Sequence, residues 1–129
     1  MNNFRKLTDY EVNILEKLFS KEFPGRDALR TQISTCLVRT IGEYKDNYGS
    51  IEFKIDSDVK ASVTNRIPVF GQTKDSDGIL IEIFLHVIDG KVDELEIVKA
   101  DNSPANSPIK QKIDPSTIEV VTDQEVVHQ

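Results

Sequence analysis

The chain has 129 residues, 38% of them hydrophobic and 29% charged, with a formal net charge of −6. That composition suits one globular domain, spanning 1–129, with a real core; the negative sign argues against nucleic acid, whose binders carry basic patches. No apolar run approaches the roughly 20 residues of a membrane helix, the opening MNNFRKLTDYE lacks an apolar signal region, and the single Cys36 excludes an internal disulfide and a cysteine-built metal site, so the expected compartment is the cytoplasm, away from the membrane.

The charge is unevenly spread. Residues 1–48 hold 8 Lys/Arg and 7 Asp/Glu, a balance of +1, whereas residues 49–129 hold 8 and 15, a balance of −7. An acidic half-chain favours a basic partner and speeds its encounter. The same charge also serves solubility alone.

The first helix is announced by Thr8-Asp9-Tyr10-Glu11, a capping-box pattern, with Leu7 and Val12 placed as a hydrophobic staple. Ile14, Leu15, Leu18 and Phe19 then form an apolar stripe at helical spacing. Pro24-Gly25 predicts an end near Lys21–Phe23. A second, short helix is expected over Asp27–Ile33, which places the helices at about 8–33.

Strands follow, over about 36–121. Cys36–Tyr44 is a predicted strand with Asp46–Gly49 as its turn. Ser50–Asp56 alternates, pointing Ile51, Phe53 and Ile55 inward. Arg66–Thr73 is a third strand, and Pro68 marks it as an edge strand or an irregular start. Asp75-Ser76-Asp77-Gly78 turns the chain into the most telling segment, Ile79–Lys99. Residues 101–117 are rich in Pro, Ser and Asn and read as a loop. Ile118–Val121 returns as a last strand, and Asp123–Gln129 is a tail expected to fray.

Within Ile79–Lys99, Ile79, Ile81, Ile83, Leu85 and Val87 alternate onto one face, and Leu80, Glu82, Phe84, His86 and Ile88 onto the other. Asp89-Gly90 between two apolar runs signals a hairpin. A plain two-residue loop would set Leu85 against Glu94 and Ile83 against Glu96, burying carboxylates at a cost. One more residue sets Leu85 against Leu95, Ile83 against Ile97, His86 against Glu94 and Phe84 against Glu96. The second register is therefore expected, through an odd loop with a type I turn and a bulge at Gly90. The fold class is then α+β: one or two N-terminal helices packed on a mostly antiparallel sheet of four to six strands.

Candidate sites are few. Asp75-Ser76-Asp77-Gly78 resembles the middle of a calcium loop, but the bidentate carboxylate six residues after the glycine is replaced by Phe84, leaving a solvated turn. His86 and His128 lack a partner set for metal or acid–base work, so a cross-strand pair of His86 with Glu94 is the expected role. Cys36 reads as a buried structural thiol. Arg26, Arg30 and Arg39 read as solvated charges. No catalytic residue, cofactor or metal is expected. Glu82, Glu94 and Glu96, with Asp93 near the turn, cluster on the outer hairpin; like charges held side by side cost stability, so these four are the candidate contacts for a basic partner, with Lys54 a possible neutralising neighbour.

Two longer segments carry a resemblance. The start RKLTDYEVNILEKLFSKEFPGRDALRTQI and the hairpin ILIEIFLHVIDGKVDELEIVKADNSP, with SIEFKID between them and IDPSTIEVV after, resemble a family of small, uncharacterised bacterial proteins. Its members share a KLT-x-x-E…FPG-x-x-x-L start and an LHV-x-DG-x-L-x-ELEI-x-K-x-D-x-SP hairpin. Here Val92 stands in place of Leu and Asn102 in place of Gly; the likeness runs from about Arg5 to Val121. These proteins are similar to immunity proteins encoded beside toxins of contact-dependent or polymorphic toxin systems. The resemblance implies no enzyme activity, but the binding and neutralisation of a cognate toxin, often a basic nuclease. The alternative from another class is a small ligand-binding or enzymatic domain with a pocket between helices and sheet.

Overall fold

A computed structural model describes residues 3–41, 49–100, 109 and 111–125. Two helices, α1 (Asp9–Leu18) and α2 (Arg26–Ile33), precede six strands: β1 (Leu37–Thr40), β2 (Ile51–Lys54), β3 (Val69–Lys74), β4 (Leu80–Ile88), β5 (Lys91–Lys99) and β6 (Glu119–Thr122). The strands form one sheet in the order β1-β2-β5-β4-β3-β6, each pair antiparallel. Both helices pack on the same sheet, α1 over β3 and α2 over β5. The protein is an α+β fold.

The capping box of α1 is present in full. Thr8 Oγ1 accepts from the Glu11 N–H (3.2 Å), and the Glu11 carboxylate accepts from the Thr8 N–H (2.9 Å). Leu7 and Val12 line one groove beside α1, with Val12 37% exposed. The helix stops at Leu18, earlier than Pro24 alone requires, because Ser20 turns its hydroxyl onto the Lys17 carbonyl (2.6 Å) and satisfies an end carbonyl locally. Ile14, Leu15, Leu18 and Phe19 are fully buried against Ile83, Leu85, Leu95 and Ile97 of the sheet. Gly71 of β3 is what lets α1 come so close: a Cβ there would lie 3.2 Å from Leu18 and 2.5 Å from Ile118.

The hairpin register is the one the alternation requires, reached by another route. Ile83 pairs with Ile97, Phe84 with Glu96, Leu85 with Leu95 and His86 with Glu94. At the tip, however, Val87 pairs with Val92 and Ile88 with Lys91, so the loop has two residues. Asp89 and Gly90 both take positive φ (52° and 77°), the paired left-handed geometry of a type I′ turn. The extra residue is Asp93, a bulge in β5 that lets Val92 and Leu95 both point inward. The expected type I turn with its bulge at Gly90 is thus corrected: the tight turn matches strand twist better, and the bulge sits three residues later.

Other boundaries shift for local reasons. Val69 starts β3 just after Pro68, and β3 is an inner strand between β4 and β6, so the proline marks an irregular start and not an edge. The first strand ends at Thr40, with Ile41 already outside it; the rest of its expected continuation to Tyr44, most of the Asp46–Gly49 turn, and most of the 101–117 loop lie outside the described residues. Asp123–Glu125 is anchored where fraying was expected: Glu125 accepts from the Thr122 N–H (2.9 Å) and from Lys21 Nζ (3.0 Å). Its carboxyl is held below the ordinary range, first by that backbone N–H and then by Lys21.

Candidate functional site

The helices cover one face of the sheet. On the other face, alternation and register place the outward side chains in rows. Glu52, Glu94 and His86 make one row across β2, β5 and β4. Glu96, Phe84, Phe70 and Val121 make the next, and Val98, Glu82, Gln72 and Glu119 a third. No helix of the described residues packs on this face. Glu82, Glu94 and Glu96 therefore share one surface, with Asp93 at the bulge on its rim.

Each carboxylate has its own setting. Glu94 stands directly opposite Glu52, a like-charge pair. Partial burial holds its carboxyl above the ordinary value, reinforced by Glu96 and Asp93 and opposed by His86 and Arg66. Glu52 is relieved by Arg39, its ion-pair partner from β1. Lys54 does not serve that role; its ammonium lies 5.7 Å from the centroid of Phe4. Glu82 and Glu119 enter no ion pair among the described residues.

His86 is Glu94's register partner, yet it bonds elsewhere. Its Nε2 lies 2.7 Å from Glu96 Oε1, and Arg66 Nε donates to its Nδ1 (2.9 Å). Because Nδ1 accepts from Arg66, the network assigns the ring proton to Nε2, which donates to Glu96. Arg66 is the residue the sequence did not reveal here. It precedes β3, and its carbonyl accepts from Val87 N (2.7 Å), which brings its side chain to His86. No hydroxyl or thiol bonds to His86 among the described residues, so the pair lacks the nucleophile an acid–base site would activate.

The remaining candidates resolve separately. Asp75 is not solvated as expected: its side chain is fully buried, and Lys99 Nζ bridges it (2.9 Å) and Asp77 (2.6 Å). The ammonium, not a metal, occupies the space between the two carboxylates, and ties the β3–β4 turn to the end of β5. Asp77 is lowered first by that hydrogen bond. Among the described residues no three His, Cys, Asp or Glu side chains are grouped as metal ligands. Cys36 is buried, and burial pushes its thiol up to about 11. It lines a groove of about 600 Å³ with Leu7, Val12, Glu16, Arg30 and Ile33, where Arg30 is already bonded to Glu16 (2.5 Å). Arg26 pairs with Asp27 and Arg39 with Glu52, so the three arginines each hold a separate carboxylate. His128 lies outside the described residues.

Two buried polar clusters hold the frame that presents the open face. Gln32 of α2 is fully buried; its amide donates to the carbonyls of Val59 and Gly90 (both 2.8 Å) and accepts from Val92 N (2.9 Å), clamping the hairpin tip. At the other end Arg5, bridged to Val38, makes two 2.8 Å bonds to the carboxylate of Glu11. Burial alone would raise that carboxyl, but Arg5 and the Thr8 N–H together bring it below its ordinary value.

Fold and surface define a class: a small α+β domain with helices on one sheet face and an acidic face opposite, on which no helix of the described residues packs. The chain belongs to the family described as DUF6984, a domain of unknown function, which matches residues 4–109, from ahead of α1 to beyond β5. Comparison with curated proteins gave no match, and neither did comparison with solved structures. No helix among the described residues is long and apolar enough to cross a membrane.

Proposed function

We propose that this protein is a cytoplasmic immunity protein that binds a cognate toxin domain and blocks it through the acidic face of its sheet. The observation that supports the reading is that face itself. A six-stranded sheet presents Glu52, Glu82, Glu94, Glu96 and Glu119 on one side, while the buried core of the described residues lies on the other. Retaining Glu94 opposite Glu52 costs stability that fold alone does not ask for. A basic toxin domain, such as a nuclease, would be attracted to that face over roughly a Debye length, and a standard interface of about 1,600 Å² suffices for tight binding. The resemblance of the KLT…FPG start and the LHV-x-DG hairpin to immunity proteins points the same way. In this reading the protein is not an enzyme: His86 is committed to Glu96 and Arg66, and Cys36 is held as a thiol.

The test is co-expression with the product of the adjacent gene. Rescue of growth, together with a complex that survives size-exclusion chromatography, is the expected result. An adjacent gene product that is harmless alone, or that kills equally with and without this protein, would remove the reading.

A further inference from the structure

At the centre of the acidic face the charge gives way to an apolar strip. Phe84 of β4 pairs with Phe70 of β3, their ring centroids 5.8 Å apart. Phe70 pairs onward with Val121. Val98 and Leu80 continue the strip on the neighbouring rows. All five are half-buried. Around them stand Glu94 and Glu96 on one side and Glu82 and Glu119 on the other. Glu82, Glu94 and Glu119 enter no ion pair among the described residues. Arg39 and Arg66 are engaged with Glu52 and His86, which leaves Lys74, beside Leu80, as a cation at the margin.

An aromatic pair inside an acidic frame has the anatomy of an interface centre: an apolar anchor site with a charged rim. The charge selects among occupants. A second copy of this chain would set Glu82, Glu94 and Glu119 against their own images, and like charges facing across an interface are costly. Nucleic acid and anionic lipid carry the same wrong sign. Resting on the immunity reading, we infer that the toxin domain docks a basic surface carrying one protruding aliphatic or aromatic side chain, which seats on Phe70 and Phe84 while its Lys or Arg residues meet Glu82, Glu94 and Glu119. The aromatic pair sets the lifetime of the complex, and the carboxylates set its rate of formation.

The division of labour is measurable by binding kinetics against the purified toxin domain from the adjacent gene. Phe84→Ala should weaken the complex about 30-fold or more, mainly by faster dissociation. Glu82→Lys with Glu119→Lys, which breaks no ion pair of the fold, should slow association about tenfold at low salt and less at high salt. Arg30→Glu, on the helical side, should change neither rate. Urea unfolding of each variant separates loss of contact from loss of fold. If the complex forms and all folded variants bind like wild type, the interface lies elsewhere and this inference falls while the immunity reading stands. If wild type itself neither binds nor protects, both fall together.

Discussion

Gln32 offers the sharpest test of how the fold is held. Its amide is fully buried and makes three hydrogen bonds, to Val59 O, Gly90 O and Val92 N. Removal does not affect the three partners equally. Gly90 O keeps the Ala61 N–H at 2.9 Å. Val59 is 43% exposed, so its carbonyl can turn to water. The Val92 N–H is buried beside the bulge and has nowhere to turn. An unsatisfied buried N–H costs about 1–3 kcal/mol, and the lost carbonyl contacts add about 1 more. Gln32→Ala should therefore destabilise by about 2–4 kcal/mol, lowering Tm by about 5–15 °C. Gln32→Leu isolates the cause, since it restores volume but no polar atom. It should recover less than half of the loss. Urea unfolding followed by circular dichroism, with the m-value as a check on cooperativity, reads both variants. Near-wild-type stability for Gln32→Leu would show that the amide fills space and that its bonds contribute nothing net.

Four further outcomes follow from the same fold. Leu85, fully buried between Val69 and Leu95, should lose about 2–5 kcal/mol on truncation to Ala; a loss below about half a kcal/mol on urea titration would mean the hairpin register is wrong. Gly71→Ala meets Ile118 at 2.5 Å and should cost about 1–3 kcal/mol; in a double-mutant cycle Ile118→Ala should relieve part of that cost, and strict additivity would contradict the close approach. The Glu11 carboxyl is held below its ordinary 4.5, so on acidification the unfolded chain takes up the proton first; the contribution of the Arg5 pair is complete above about pH 4.5 and is lost as pH falls through the folded value. Glu11→Gln should flatten the acid limb of the stability–pH curve, and acid limbs running parallel to wild type would argue against the assignment. With its thiol pushed up to about 11, native Cys36 should react with a disulfide reagent at pH 8 only on the timescale of unfolding; stoichiometric labelling within seconds would show an accessible thiolate.

What could be read from the residues was whatever is local. The capping box at Thr8 and Glu11 is a four-residue pattern with one geometry, and it formed. The hairpin register was legible because carboxylates cannot be set on a buried face, which rejects one register regardless of turn detail. The turn type was not legible, since a bulge at Asp93 and a bulge at Gly90 give the same register further down. The acidic face of Glu82, Glu94 and Glu96 followed from alternation. Its partners did not: Arg66 reaches His86 from outside any strand, and Arg39 reaches Glu52 only once β1 pairs with β2. Strand order is likewise non-local, because β5 leaves the hairpin to lie beside β2 and β3 is enclosed by β6. Gln32 was missed for a different reason. It shares a helical face with Leu29 and Ile33, but a glutamine in that stripe carries no sign that three backbone groups wait opposite it.

The bulge at Asp93 also uncouples two things that a hairpin normally links. In a plain ribbon the loop length dictates which side chains look inward, so any insertion or deletion at the tip turns the whole second strand over. Here a tight Asp89-Gly90 tip and a separate one-residue offset share the task. Residue identity at 93 is therefore loosely constrained, and the position itself is the slack of the hairpin. Removing that single position would close the bulge and leave Val87 against Val92, His86 against Glu94 and Leu85 against Leu95, with Glu94 and Glu96 still facing outward. For this hairpin a three-base deletion at that codon is the mild lesion, and one inside β4, which has no spare residue to absorb it, is the dangerous one.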